Sequence, residues 1–129
     1  MTNVTYDERE TRRLQPLLLS IGREIRERSI VLSLLVTTLD ELASKRDEAT
    51  TPDARRLLNA EAASQRRELL RARQELEGLG CSLLRRSPVT IHIPGTEDGE
   101  DRTVIWRLQE GSDQDEVEEL RIPTHGPWL

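Results

Sequence analysis

Apolar residues in the first half of the chain recur at alternating steps of four and three. This spacing places them along one side of an α-helix and is typical of a coiled-coil seam. Eight of the nine seam positions are apolar, and Arg28 is the exception. The positions are Leu14, Leu18, Ile21, Ile25, Arg28, Leu32, Leu35, Leu39 and Leu42. The pattern predicts a first long helix.

The predicted ends of this helix follow from local signals. Thr5-Tyr6-Asp7-Glu8 has the form of a capping box, which predicts a helix start near residue 6. Pro16 disfavours helical geometry at Gln15, so we expect a break or a kink there. Helix one is therefore predicted as a kinked helix over residues 6–48.

The same spacing recurs in the next segment of the chain, with fewer large apolar residues at the seam positions. Thr51-Pro52-Asp53 supplies an N-cap, a first-turn proline and an early acid, so helix two is predicted over residues 52–79, with Gly80 as its left-handed cap. Its seam positions are Leu58, Ala62, Gln65, Leu69, Ala72, Leu76 and Leu79. Folding the chain back near residue 50 pairs the two seams in an antiparallel hairpin.

Beyond Gly80 the apolar period changes to two, the period of a β-strand with one buried face. The alternating residues are Val89, Ile91 and Ile93, then Val104, Trp106 and Leu108. They predict a β-hairpin over residues 88–109 with a mobile eight-residue loop, PGTEDGED. Residues 110–129 are predicted to form an acidic extended tail, in which Glu116 to Leu120 form either a third strand or a short helical turn.

The expected fold class is α+β and mostly α. It consists of a long, coiled-coil-like antiparallel helical hairpin with a small C-terminal β-hairpin, in a single domain over residues 1–129. The chain of 129 residues has the length of one small domain.

The middle of helix one carries apolar residues on both sides. Residues 30–36 are apolar at every position except Ser33, whereas a helix with one neighbour needs one apolar stripe. Five residues form this second face, which we call the apolar patch: Ile30, Val31, Leu34, Thr37 and Thr38. Arg23, Glu27 and Glu41 bound it. The patch predicts self-association, with helix one of each protomer at the centre of a homodimer.

Charge and composition narrow the partners and the compartment. The net charge is −5, and residues 89–129 hold 10 acidic and 3 basic side chains, which would repel phosphate. Cys81 is the only cysteine, so an intrachain disulfide is excluded and a reducing compartment is favoured. The charged N-terminus lacks the apolar core of a secretion signal, and a cytoplasmic protein without membrane contact is expected.

Candidate chemistry is sparse, and no motif points to an enzyme, a catalytic residue or a cofactor. His92 and His125 have no second ligand at a recognisable metal spacing, although a composite zinc site of Cys81, His92, His125 and a carboxylate is conceivable. Cys81 is read as a small buried residue rather than a nucleophile. A small-ligand site where His92 and Arg107 meet Cys81 is an alternative hypothesis.

Polar residues on the helices also have two interpretations. Arg28 and Gln65 interrupt the seams, and Arg28 either packs its stem and reaches a carboxylate or fixes the register of the hairpin. Six arginines of helix two predict either a solvated face that pairs with acids of helix one or of the acidic tail, or a nucleic-acid surface, and the net charge favours the first. They are Arg55, Arg56, Arg66, Arg67, Arg71 and Arg73.

Four short segments carry a family resemblance. They are the Leu-x-Pro-Leu-Leu run at 14–18, the helix end ELEGLGCSL, the strand IHIPG and the strand VIWRLQEG. Together they resemble, from Tyr6 to Gly111, a bacterial family catalogued as domain of unknown function 2203. The resemblance implies a helical hairpin fold and a bacterial origin. The family's usual Gly-Glu after Trp-Arg and its later Trp-His pair are replaced here by residues 108–111 and 117–120.

The most economical interpretation is a homo-oligomeric interaction or scaffold module. Its main expected partner is a second copy of the chain through helix one, and an unidentified protein partner is a further possibility. A ligand or metal site near the β-hairpin and nucleic-acid binding through helix two are the alternatives.

Overall fold

The computed structural model describes residues 4–45, 52–109 and 116–124. Helix α1 spans Glu8–Lys45 and helix α2 spans Pro52–Gly78; strands β1 Ser82–Arg86, β2 Val89–Glu97, β3 Glu100–Leu108 and β4 Val117–Pro123 follow. The four strands form one antiparallel sheet in the order β1-β2-β3-β4. The expected fold class, α+β and mostly α, is confirmed. Residues 46–48 and Thr51, which entered the predicted helix ends, lie outside the described residues.

Helix α1 begins two residues later than predicted because the preceding segment pairs with the sheet. The Tyr6 N–H donates to the Pro94 carbonyl, and the Tyr6 carbonyl accepts from the Thr96 N–H, each at 2.9 Å. These bonds hold Tyr6 extended, so the cap moves to Asp7. The Asp7 carboxylate accepts from the Glu10 N–H at 2.7 Å, and the Glu10 carboxylate accepts from the Asp7 N–H at 3.2 Å. The capping box predicted at Thr5 is therefore wrong, and an Asp7–Glu10 box replaces it.

Of the break or kink predicted at Gln15, the break is wrong, because α1 runs without interruption through Pro16. Proline lacks the N–H that would bond to the carbonyl four residues earlier, so this position has a cost. Leu18, Ile21 and Ile25, on the turns that follow, are almost completely buried. Burial of this apolar stripe against the rest of the protein maintains the helix where local preference alone would end it.

The helices pack side by side in opposite directions. Near the middle of α1, the Arg28 guanidinium lies 3.8 Å from the Glu68 carboxylate, whereas Arg55 donates to the Leu42 carbonyl near the other end. Buried seam residues on α2 are Ala62, Leu69, Ala72 and Leu76. After α2 ends at Gly78, Gly80 adopts φ +81°, the left-handed conformation predicted for it.

The β-hairpin turn is much tighter than the predicted eight-residue loop. Strands β2 and β3 stay paired as far as Glu97 and Glu100, so only Asp98 and Gly99 form the turn. Their φ values, +52° and +80°, suit the two-residue turn whose twist matches that of the strands. Arg102 contacts the carboxylates of Glu97 and Glu100, each at 3.3 Å. The predicted loop was therefore wrong, and Asp-Gly was the signal for the turn.

Two further strands widen the predicted hairpin into a sheet. Strand β1 was not predicted, because SLLRR shows no alternation of apolar and polar residues. Strand β4 runs antiparallel to β3, so the strand alternative for Glu116 to Leu120 is correct from Val117 onward. Part of the predicted extended tail is thus a strand paired at the edge of the sheet. Residues 110–115 and 125–129 lie outside the described residues.

The packing of Trp106 against Gly22 positions the sheet on helix α1. The Trp106 side chain is completely buried in one apolar cluster with Leu18, Ile21 and Ile25 of the helix. A methyl group on Gly22 would lie 3.1 Å from the indole Cη2 atom, closer than ordinary van der Waals contact. Gly22 therefore lets the indole lie against the helix backbone. This contact places the sheet over the N-terminal half of α1.

We predict that Gly22→Leu lowers the free energy of unfolding by about 1–3 kcal/mol, because the new side chain must displace Trp106 in a packed core. Gly78→Leu is the control, since nothing lies within 4 Å of a Cβ there. Urea melts followed by circular dichroism measure both variants. Equal free energies of unfolding for the two variants would contradict the proposed close packing of Trp106 against Gly22.

Candidate functional site

The apolar patch of α1 is uncovered in the single chain. Ile30 is 55% exposed, Leu34 is 63% exposed and Val31 is 39% exposed. Thr37 and Thr38 are also exposed, and the Thr38 hydroxyl donates to the Leu34 carbonyl at 2.8 Å. The sheet lies over the preceding turns of the helix, so it leaves this face open. All five residues predicted for self-association are therefore accessible.

A cleft of about 950 Å³ runs beside the patch. Ile30, Leu34 and Thr37 form one wall, and Arg66 of α2 and Arg86 at the end of β1 contribute to the other. The hydroxyl oxygen of Ser29, which also lines the cleft, is buried without a hydrogen-bond partner among the described residues. The cleft therefore has one wall with apolar side chains and another with basic side chains.

The polar seam residues contact each other at the centre of the hairpin. Arg28 Nη1 donates to the Gln65 side-chain oxygen at 3.2 Å, and Arg28 Nε donates to Glu24 at 3.0 Å. Gln65 donates in turn to Glu61 at 2.8 Å. The Arg28 side chain is 31% exposed, which fits a packed stem with a head that reaches carboxylates. A role in fixing the hairpin register stays a prediction.

Strand alternation places His92 and Arg107 on the outer face of the sheet, away from buried Cys81, so the suggested meeting of the three residues does not occur. Cys81 is buried in the core cluster. His92 lies between Ile91 and Ile93, whose side chains are completely buried, so strand alternation directs the imidazole to the opposite face of the sheet. His125 lies outside the described residues. Among residues 4–45, 52–109 and 116–124, no group of three or more His, Cys, Asp or Glu side chains is arranged to hold a metal ion.

Burial also determines the chemistry of Cys81. Loss of hydration disfavours the thiolate and raises the pKa of the Cys81 thiol from 9.0 to about 11. A nucleophilic or metal-binding cysteine needs the opposite shift, because the thiolate is the reactive form. Cys81 therefore suits a packing role.

The arginines of α2 divide into two groups. Four have partners within the helical hairpin: Arg55 with the Leu42 carbonyl, Arg56 with Asp53, Arg71 with Glu68 and Arg73 with Glu77. Three of these contacts are ion pairs, but their carboxylates belong to α2 itself rather than to helix one or the acidic tail, and Arg55 bonds to a backbone carbonyl. Of the other two, Arg66 lines a groove beside strand β1 and Arg67 is exposed.

A basic groove of about 460 Å³ separates α2 from β1. We define the basic groove by six residues of its lining: Arg66, Leu70, Arg73, Leu84, Arg85 and Arg86. Leu70 and Leu84 are each 53% exposed. This groove was not predicted from the sequence, because Arg85 and Arg86 belong to strand β1, which was not predicted either. The sequence signal that could have indicated the groove is the run of two leucines followed by two arginines at residues 83–86.

Comparison of the chain with protein-family models, with curated proteins and with solved structures finds no match. The resemblance noted from the four sequence segments therefore stays a prediction. In the parts of the chain that the structure describes, neither helix has the length and apolar character needed to cross a bilayer.

We predict that ionisation of Cys81 lowers stability at high pH. Because its folded-state pKa of about 11 exceeds the ordinary value of 9.0, the unfolded chain loses the thiol proton first. The contribution of Cys81 is fully present below pH 9 and is lost as pH rises towards 11. The difference in free energy of unfolding between the wild type and Cys81→Ala should shrink over this range. A pH-independent difference in urea melts would argue against the buried neutral thiol.

Proposed function

We propose that this protein is a cytoplasmic homo-oligomeric interaction module in which the apolar patch of α1 binds a second copy of the chain. The observation that carries the proposal is the exposure of Ile30 and Leu34 in the middle of a helix whose other side is fully engaged. Contiguous apolar surface of this kind marks protein interaction sites. The single, buried cysteine supports a reducing compartment.

The size of the patch favours a weak dimer. Complete burial of a Val, Leu or Ile side chain from full exposure yields about 1.5–3 kcal/mol. Ile30, Val31 and Leu34 are already partly buried, so each would add about 1 kcal/mol, or about 6 kcal/mol for the six side chains of a dimer. Association itself costs on the order of 4–15 kcal/mol. The balance is close, and we expect dimerisation to depend on concentration and on polar contacts around the patch.

We predict that Ile30→Glu combined with Leu34→Glu abolishes dimerisation, because four carboxylates would be brought together in an apolar interface. The measurement is the molar mass by light scattering over a concentration series, where one chain weighs 14.8 kDa. Leu57→Glu combined with Leu120→Glu is the control, since these leucines are also exposed but lie elsewhere. A dimer that survives in the patch variant would refute the placement.

A second candidate function is capture of an acidic protein segment in the basic groove. Arg66, Arg85 and Arg86 have no ion-pair partner among the described residues, and Leu70 and Leu84 offer apolar contacts beside them. Acidic residues alternating with apolar ones would complement both features in an extended segment lying along the edge strand β1. The exposed leucines favour a protein segment over a nucleic acid, whose phosphate backbone makes no use of them.

We predict that a fluorescent peptide of alternating Glu and Leu residues binds the wild type and loses at least tenfold in affinity with Arg85→Glu and Arg86→Glu together. The physical reason is that charge reversal turns attraction into repulsion at the groove rim. Arg12→Glu with Arg56→Glu is the control, because these arginines are exposed on the helices away from the groove. Fluorescence anisotropy measures binding, and stronger retention of single-stranded DNA than of the peptide would reject the protein-segment proposal.

A further inference from the structure

A regular stripe of residues runs along the open side of α1 and extends beyond the apolar patch. Its members are all exposed and are spaced at steps of four and three, the spacing of a coiled-coil seam. We call it the outer stripe, and its members are Arg23, Glu27, Ile30, Leu34, Thr37 and Glu41. The helix thus carries a second seam, with an apolar centre and charged ends.

We propose that two copies of α1 pack through the outer stripe in antiparallel orientation, with the two-fold axis at the level of residue 32. This inference rests on the proposed self-association and specifies its geometry. In an antiparallel pair centred there, the numbers of facing residues sum to 64. Ile30 then faces the partner's Leu34, Glu27 faces the partner's Thr37, and Arg23 faces the partner's Glu41. Every member of the stripe has a chemically suitable counterpart.

The symmetry doubles each of these contacts. Two Ile–Leu pairs form the centre, and two Arg23–Glu41 ion pairs close the ends. An interface of this kind is isologous, so it closes as a dimer and does not propagate. The stripe is exposed along its whole length, so a second helix can approach it without displacing the described parts of the chain.

Other alignments of the same two helices are opposed by their charges. A parallel pair in register places Arg23, Glu27 and Glu41 each beside its own copy, so three levels of the seam carry like charges. Shifting the antiparallel pair by one heptad, to a sum of 57, sets Glu27 against Ile30 and Arg23 against Leu34. The opposite shift, to 71, sets Glu41 against Ile30. Both shifts place charges against apolar side chains.

Charge reversal separates these alignments. Arg23→Glu and Glu41→Arg should each weaken the dimer by about tenfold at low salt, because each change replaces two attractive pairs with two repulsive ones. The double variant, Arg23→Glu with Glu41→Arg, restores opposite charges and should return to within about twofold of the wild type, a margin small against pair energies of this size. Sedimentation velocity over a concentration series gives the dissociation constants.

Matched controls test whether any change of surface charge has the same effect. Arg67→Glu and Glu75→Arg reverse the same residue types on exposed positions of α2 and should leave the dissociation constant unchanged. Melting by circular dichroism establishes that each variant is folded. Raising the salt concentration should reduce the difference between the single variants and the wild type, because exposed ion pairs are screened.

The possible outcomes separate this inference from the proposal on which it rests. A wild type that stays monomeric at every concentration overturns the proposed function and the inference together. A wild-type dimer that the double variant fails to restore overturns the antiparallel register alone. Weakening by each single change with recovery in the double variant supports both.

Discussion

The close packing of Trp106 against Gly22 determines which parts of this protein are covered. A methyl group at position 22 would lie 3.1 Å from the indole, tighter than ordinary van der Waals contact, so Gly22 allows the sheet to pack close to the backbone of α1. The sheet, packed in this position, buries the stripe of Leu18, Ile21 and Ile25. The N-terminal strand pairing of Tyr6 with β2 holds the start of the helix to the same sheet. A long helix with a small sheet at one end is the consequence.

The remainder of α1 relies on α2 for cover, and α2 covers only one side. The buried residues of α2 include small alanines, which bring the two helix backbones close. Arg28 and Gln65 add a polar contact at the middle of this seam. On the opposite side, Ile30 and Leu34 stay exposed because the sheet packs on the turns nearer the N-terminus of α1. The proposed self-association depends on this unequal cover, which leaves apolar side chains exposed on the open side of α1.

Periodicity predicted the elements with repeated patterns, and long-range contacts decided the rest. The steps of four and three were enough for both helices, and the alternation from Val89 to Leu108 was enough for β2 and β3. The cap at Asp7 was missed because hydrogen bonds from Tyr6 to β2, 88 residues away along the chain, exclude Thr5 from that role. Continuity through Pro16 was missed because burial of later turns outweighs a local penalty. The apolar patch was readable from sequence, but the basic groove required the position of β1.

Self-association of the unmodified chain is the central claim, and sedimentation equilibrium tests it most directly. The account predicts that the average mass of the wild type rises with concentration from 14.8 kDa towards twice that value and then reaches a plateau. A mass that stays at 14.8 kDa up to millimolar concentration would contradict it.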